Sequence, residues 1–268
     1  MSEALSSAEI YEPKNFSQNR VFSMPTPLFG HTVGYLGGAV YISGGSNGTE
    51  AQSRTLVYLP RSNTFRAGPN MSTMRLSAKS ISMNSWHLIC GGYDGKWWWN
   101  PTCEVLDLNG AWSLLRVVSQ LVPGGMLVTL NGHLYSLGGN INGARALRMN
   151  PTKGWMKVPD MLRSREGGAA VAFGSSLVVC GGMDGDRGRT CEFFNAFEQR
   201  WYQFPSMVIG RKDFQMLSFG AKIFVLGGER LHGQGATDTV EVFDALYNNW
   251  MLLTPMKQAR TKFAAVFV

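Results

Sequence analysis

Short apolar runs alternate with polar, glycine-rich stretches along the whole chain. Five of the runs are AVYIS, WHLIC, HLYSL, SLVVC and KIFVL. They stand immediately before Gly44-Gly45, Gly91-Gly92, Gly138-Gly139, Gly181-Gly182 and Gly227-Gly228. Runs this short, rich in Val, Ile, Tyr and Phe and bounded by Gly, Asn and Pro, predict strands. Paired glycines at a strand end allow positive φ and close backbone approach. After each doublet comes a polar loop and a second alternating run: TLVYLP, CEVLDL, RALRMN, CEFFNA and VEVFDA. A large aromatic follows, at Phe65, Trp112, Trp155, Trp201 and Trp250. Met71, Met161, Met207 and Met256 are then each followed four residues on by Arg75, Arg165, Arg211 and Arg260. The second repeat departs from this, running through Pro123, Gly124 and Gly125 with no arginine at that place.

The steps between doublets are 47, 47, 43 and 46 residues. A period of that length means one supersecondary unit copied around a larger architecture. Four short strands per copy make one blade, and radial repetition leaves only short edges exposed. The aromatic after each third strand is expected to be buried between neighbouring sheets, contributing about 1.5–3 kcal/mol.

The unit resembles the kelch repeat: a strand ending in a glycine doublet, a polar loop, a V-E-x-Y-D-P-like strand, a Trp and an M-x-x-x-R turn. CEVLDLNGAW and VEVFDALYNNW match it closely, and ICGGYDGK carries the post-glycine loop. The resemblance runs through nearly the whole chain and implies an all-β, kelch-type β-propeller. The repeats fall at about 28–75, 76–122, 123–165, 166–211 and 212–260. The ends carry a split copy. AEIYEP (Ala8 to Pro13) matches the third strand, Phe16 or Phe22 the aromatic, and Met24-Pro25 the turn, while RTKFAAVFV resembles the innermost strand. Joining 1–27 to 261–268 predicts a sixth, closing blade that lacks a glycine doublet, and hence one domain over 1–268. A fragment, or a five-bladed ring with decorated ends, is the alternative.

Composition narrows the function classes. The formal charge is +7 and the isoelectric point about 9.4, which suits an acidic partner. The basic residues are scattered, whereas phosphate binding wants a continuous stripe, so nucleic acid is not expected. No apolar run approaches the ~18 residues of a membrane helix, and no basic-then-apolar signal opens the chain. A cytoplasmic protein without membrane contact is the expectation, with the sequons at Asn15, Asn47 and Asn70 left as chance. Cys90 and Cys180 precede doublets, and Cys103 and Cys191 open the next strand. A cross-strand disulfide is conceivable, but free buried thiols suit a reducing compartment better. No C-x-x-C occurs and the four histidines lack ligand spacing, so no metal or other cofactor is expected.

The resemblance also implies where partners bind. In kelch rings the loops after the doublets and the M-x-x-x-R turns lie at one mouth of the channel and commonly capture peptide segments. That places Arg75, Arg165, Arg211, Arg260, His31, Lys212 and Phe214 among the candidates on the turns. Tyr93, Trp97, Trp98, Arg187 and Arg189 are the candidates on the loops. Arginine presents a rigid fork to carboxylates, and Trp, Tyr and Arg dominate interface energetics. The repeated arginines can equally hold the adjacent turn by bonding backbone carbonyls. Three consecutive tryptophans cannot share one strand face, so at least one is expected in solvent. The reading is a noncatalytic module that captures an acidic protein or peptide segment. Larger relatives serve as substrate adaptors for ubiquitin ligation, a role that also needs a BTB or F-box module. The alternative is a kelch-fold sugar mutarotase, with Glu166 and Asp213 as acid and base beside Arg165 and Arg211.

Overall fold

The computed structural model describes residues 4–12, 17–83, 85–96, 98–115, 121–183, 188–231 and 233–268. Each of the five repeats forms one four-stranded antiparallel sheet. The first sheet comprises Thr32–Leu36, Ala39–Ser43, Thr55–Leu59 and Thr64–Ala67. The second is Lys79–Met83, Trp86–Cys90, Cys103–Asp107 and Trp112–Leu115. The third is Met126–Leu130, His133–Leu137, Ala146–Asn150 and Gly154–Lys157. The fourth is Ala169–Phe173, Ser176–Cys180, Cys191–Asn195 and Arg200–Phe204. The fifth is Gln215–Phe219, Lys222–Leu226, Val240–Asp244 and Asn249–Leu253. A hairpin of Leu5–Glu12 and Ser17–Leu28 precedes them. No helix occurs among the described residues.

The chain divides into two compact bodies, one over 1–12, 18–119 and 262–268 and one centred on 120–261. Within each body the first strand of one sheet lies against the first strand of the next. Burial explains why the apolar runs do not alternate. Leu88–Cys90, Leu177–Cys180 and Ile223–Leu226 are buried at every position, because both faces of an inner strand are covered by neighbouring sheets. One core cluster joins Tyr135 and Leu137 of the third sheet to Phe194 and Trp201 of the fourth. Another joins Val178 of the fourth to Ile223, Phe243 and Trp250 of the fifth. In the split copy, Phe22 stacks on Tyr58 with centroids 4.8 Å apart, and Met24 and Val266 pack on the first sheet. Phe16 lies outside the described residues.

The aromatic anchors divide into two kinds. Trp201 and Trp250 are buried, and their Nε1 atoms donate to Pro159 O and Pro205 O at 2.7 Å. Trp112 makes the same bond to Pro69 O at 3.1 Å but is only half-buried. Trp155 is also half-buried, and its Nε1 has no acceptor among the described residues. The four tryptophans are thus mostly buried, as expected, with Trp112 and Trp155 less completely so than Trp201 and Trp250.

The expectation of free thiols is corrected. Cys90 is bonded to Cys103 and Cys180 to Cys191. Each pair sits directly opposite in strand register, with Cα atoms 4.1 and 4.2 Å apart. That is the spacing of a non-hydrogen-bonded antiparallel pair, where facing side chains come closest. Sequence placed them on adjacent strands but could not fix the register.

Candidate functional site

The doublets and the turn arginines form one joint. Arg75 is fully buried. Its carbonyl accepts from Gly45 N behind it at 2.8 Å, and its Nη1 donates to Gly91 O of the next doublet at 2.8 Å. Arg165 is held the same way between Gly139 N and Gly181 O, and Arg211 between Gly182 N and Gly227 O. A Cβ on Gly44, Gly138 or Gly181 would come within 2.5–2.7 Å of Arg75 O, Arg165 O or Arg211 O. Together with the positive φ of these glycines, that approach is why the doublets recur.

Each of these arginines also meets a buried glutamate on the third strand of the following sheet. The contacts are Arg75–Glu104 at 3.0 Å, Arg165–Glu192 at 2.9 Å and Arg211–Glu241 at 2.5 Å. The second carboxylate oxygen accepts from the backbone N–H just after the turn methionine: Ser72, Leu162 and Val208. Burial pushes Arg75 and Arg211 below the ordinary arginine value, opposed by Glu104 and Glu241. Burial pushes Glu104 up, but hydrogen bonds from Ser72 and Thr73 and the charge of Arg75 together hold it below the usual carboxylate range. Arg260 is buried too, with Gly228 N on its carbonyl.

These arginines are therefore corrected from partner-binding residues to structural ties. The donors of Arg75, Arg165 and Arg211 are committed inside the fold, and Arg260 is buried. Phe214 is corrected likewise. It is buried over the fourth doublet, where a Cβ on Gly181 would meet its Cε1 at 2.6 Å.

Two residues beyond each arginine place comes a second set of links. Gly30, Ser77, Gly124, Gly167, Asp213 and Lys262 all have positive φ. Ser77 N donates to Gly30 O and Gly30 N to Lys262 O, at 2.8 and 2.7 Å. In the other body, Asp213 N donates to Gly167 O and Gly167 N to Gly124 O, both at 2.7 Å. The end of each body that bears the turns is thus knit by backbone, and its side chains are left to the loops around it.

The remaining candidates lie in those loops. Trp98 is 74% exposed. Its neighbour Trp99 covers Gly91 and meets Tyr93 edge-on, with centroids 5.3 Å apart. Arg189 is exposed, with its Nε on Met207 O at 3.0 Å. His31 is half-buried beside Gly45. Lys212 is partly buried and pairs with Glu229 at 3.5 Å. Trp97 and Arg187 lie outside the described residues. Sequence reasoning passed over Glu104, Glu192 and Glu241. A signal for the glutamates was present: the hydrogen-bonding frame puts Leu28 and Val122 in the two turns without arginine, and Leu56 and Leu147 stand in the glutamate place. Arginine and glutamate are lost together.

Comparison with known proteins agrees with this architecture. A family profile for the Kelch motif matches residues 27–72. The Kelch repeat protein M-T8 of Myxoma virus is 27% identical over 146 residues, 52% of this chain and 28% of that protein. Kelch-like protein 7 of Rattus norvegicus is 33% identical over 79 residues, 29% of this chain and 13% of that protein. Kelch-like protein 36 of Mus musculus is 21% identical over 258 residues, 89% of this chain and 42% of that protein. The chain thus spans less than half the length of these relatives. The solved structure titled "Structure of YjhT" superposes with a TM-score of 0.76 at 14% identity, covering 93% of this chain and 91% of that one. Period, glycine doublets, four-stranded sheets and these likenesses agree: the chain carries a Kelch motif, it is similar to kelch-repeat proteins, and its fold is the kelch-type β-propeller.

Proposed function

We propose that the protein is a noncatalytic interaction module that captures a partner segment on the loops around its turn-bearing end. The observation that carries this reading is Trp98, three-quarters exposed, directly before Trp99, whose ring meets Tyr93. A large aromatic exposed to solvent is the kind of anchor that dominates interface energetics. The net charge of +7 favours an acidic segment. Six blades, the last shared by the two ends of the chain, and a role as a substrate adaptor belong to this proposal. So does a cytoplasmic location, which the disulfides oppose, because they persist mainly in oxidising compartments. It therefore requires both bridges to open there. No helix among the described residues is long and apolar enough to cross a membrane.

A selection from a random-peptide display library tests the reading. The wild type should enrich a peptide family, and Trp98→Ala should weaken its capture about tenfold or more. Equal capture by the variant removes Trp98 as the anchor, and enrichment of nothing removes the function.

One observation favours the mutarotase alternative. Glu166 and Asp213 stand on consecutive turns. Glu166 Cγ would lie 2.5 Å from a Cβ on Gly124, and Asp213 Oδ1 3.2 Å from a Cβ on Gly167. The arginine part of that constellation is withdrawn, since Arg165 and Arg211 are committed to Glu192 and Glu241. Interconversion of sugar anomers by the wild type, abolished by Glu166→Gln, would support it.

A further inference from the structure

Beside the fifth sheet, sequence gave no sign of a small three-stranded sheet: Arg211–Lys212, Glu229–Arg230 and Gly235–Ala236. It pairs Arg230 in register with Arg211. Next to it lies an open groove of about 500 Å³, with Arg189, Val208, Ile209, Arg230, Leu231 and Gln234 in its lining. Its two sides meet at Gly188, where a Cβ would come within 2.8 Å of Leu231 Cδ1, so the loop bearing Arg189 lies close against the loop bearing Arg230.

The charges in this groove are unbalanced. Arg230 Nε is buried and has no hydrogen-bond partner among the described residues. Arg189 is exposed at the other side. Among the described residues, the nearby carboxylates Glu229 and Glu241 are committed elsewhere. Glu229 pairs with Lys212, and Glu241 takes Arg211 together with the N–H groups of Val208 and Ile209. Among the described residues, none that lines the groove is acidic. Arg230 also lies near enough to Arg211 for its charge to help lower that residue's pKa. A buried N–H donor without an acceptor is unfavourable until something supplies one. Aliphatic surface accompanies the two guanidiniums, with Val208 41% exposed and Ile209 and Leu231 partly exposed.

We propose that this groove seats an acidic side chain of an extended partner peptide, a glutamate or aspartate next to an aliphatic residue. The two guanidiniums offer planar forks to the carboxylate. The Val208, Ile209 and Leu231 side chains take the aliphatic neighbour, which a free phosphate lacks. Nucleic acid fits less well, because the described lining residues include no aromatic for base stacking. The proposal rests on the interaction reading and names the chemistry of the segment captured.

The test is the peptide selection on the whole chain, followed by fluorescence anisotropy with the most enriched peptide. Enriched peptides should carry Asp or Glu beside Leu, Ile, Val or Met. Arg189→Gln and Arg230→Gln should each weaken the peptide about tenfold or more. Replacing the peptide's acid with its amide should cause the same loss on wild type and little further loss on Arg230→Gln. Should Arg230→Gln fail to fold, Leu231→Asp puts a repelling carboxylate on the wall and should give the same loss. Enriched peptides without acid, or binding unmoved by the groove variants, overturn the groove and leave the interaction reading standing. Displacement of the peptide by inorganic phosphate or oligothymidylate at equal concentration also overturns it. If the wild type enriches nothing, the interaction reading falls and the groove proposal with it.

Discussion

The second and third sheets share one topology but fill it with different chemistry. The second receives Arg75 onto Glu104, bonds Cys90 to Cys103, and buries His87. At the same places the third has Val122 and Leu147, Leu137 opposite Ala146, and Leu134. The first sheet repeats the apolar choice at the ion pair, with Leu28 and Leu56, and puts a Ser43–Thr55 hydrogen bond at the cysteine place. Buried ion pairs, disulfides and hydroxyl pairs are therefore interchangeable with plain apolar packing in this architecture. That agrees with the general finding that a buried ion pair is often no better than well-packed hydrophobic residues, although losing one partner is severe.

The comparison breaks first at the ion pair. Glu104→Leu leaves Arg75 buried without a counter-charge and should cost about 3–5 kcal/mol. Adding Arg75→Val copies the third sheet and should restore most of it, measured by chemical denaturation. A double variant as unstable as the single one contradicts interchangeability. Next come the anchors. Trp201→Ala should cost about 3–4 kcal/mol, since it removes a buried ring. Trp155→Ala should cost less, its ring being less completely buried. Equal losses would mean that exposure does not grade the anchors.

His87 supplies a pH test. Burial pushes its pKa down to about 4, against a smaller opposing hydrogen bond at the Ile81 backbone. Gly34 makes the room, for a Cβ there would lie 2.2 Å from Nδ1. The unfolded chain protonates this histidine near 6.5 and the folded chain only near 4. Stability is thus full above about pH 6.5 and falls as the pH drops toward 4, by roughly 3 kcal/mol in all. His87→Leu, copying Leu134, should flatten that slope, and a slope unchanged in the variant assigns the acid lability elsewhere. A smaller effect is expected at the disulfides. They close loops with sequence separations of 13 and 11, so reduction should lower stability by about 2–3 kcal/mol per bridge. Replacing Cys90 with Leu and Cys103 with Ala should recover part of this. Mass measurement after alkylation without reductant should show no modified thiol, and four modified cysteines contradict the bridges.

The sequence made the repeat legible because its marks are local and periodic: the doublets, the Val- and Phe-rich runs and the turn methionines. It also made Phe22 and Met24 legible as parts of a split copy. What it hid depends on register and on neighbours some 30 residues away. Glu104 was visible in CEVLD, but nothing local ties it to Arg75. Cys90 and Cys103 were on adjacent strands, yet only the register sets them face to face. The extra sheet around Arg230 escaped notice because its strands are two residues long, too short for alternation to show. The arginines misled for a physical reason. A side chain recurring at one end of every repeat suits a ring of binding groups and a ring of structural ties equally well, and only burial separates them.

The central claim is that the turn arginines hold the sheets while the loops hold the partner. Arg165→Val with Glu192→Leu tests it most directly, because it installs the third sheet's own solution at the fourth. The variant should keep its thermal transition nearly unchanged and bind the peptide selected on wild type with the same affinity. A variant that folds normally yet loses the peptide would contradict the claim and return Arg165 to the binding site.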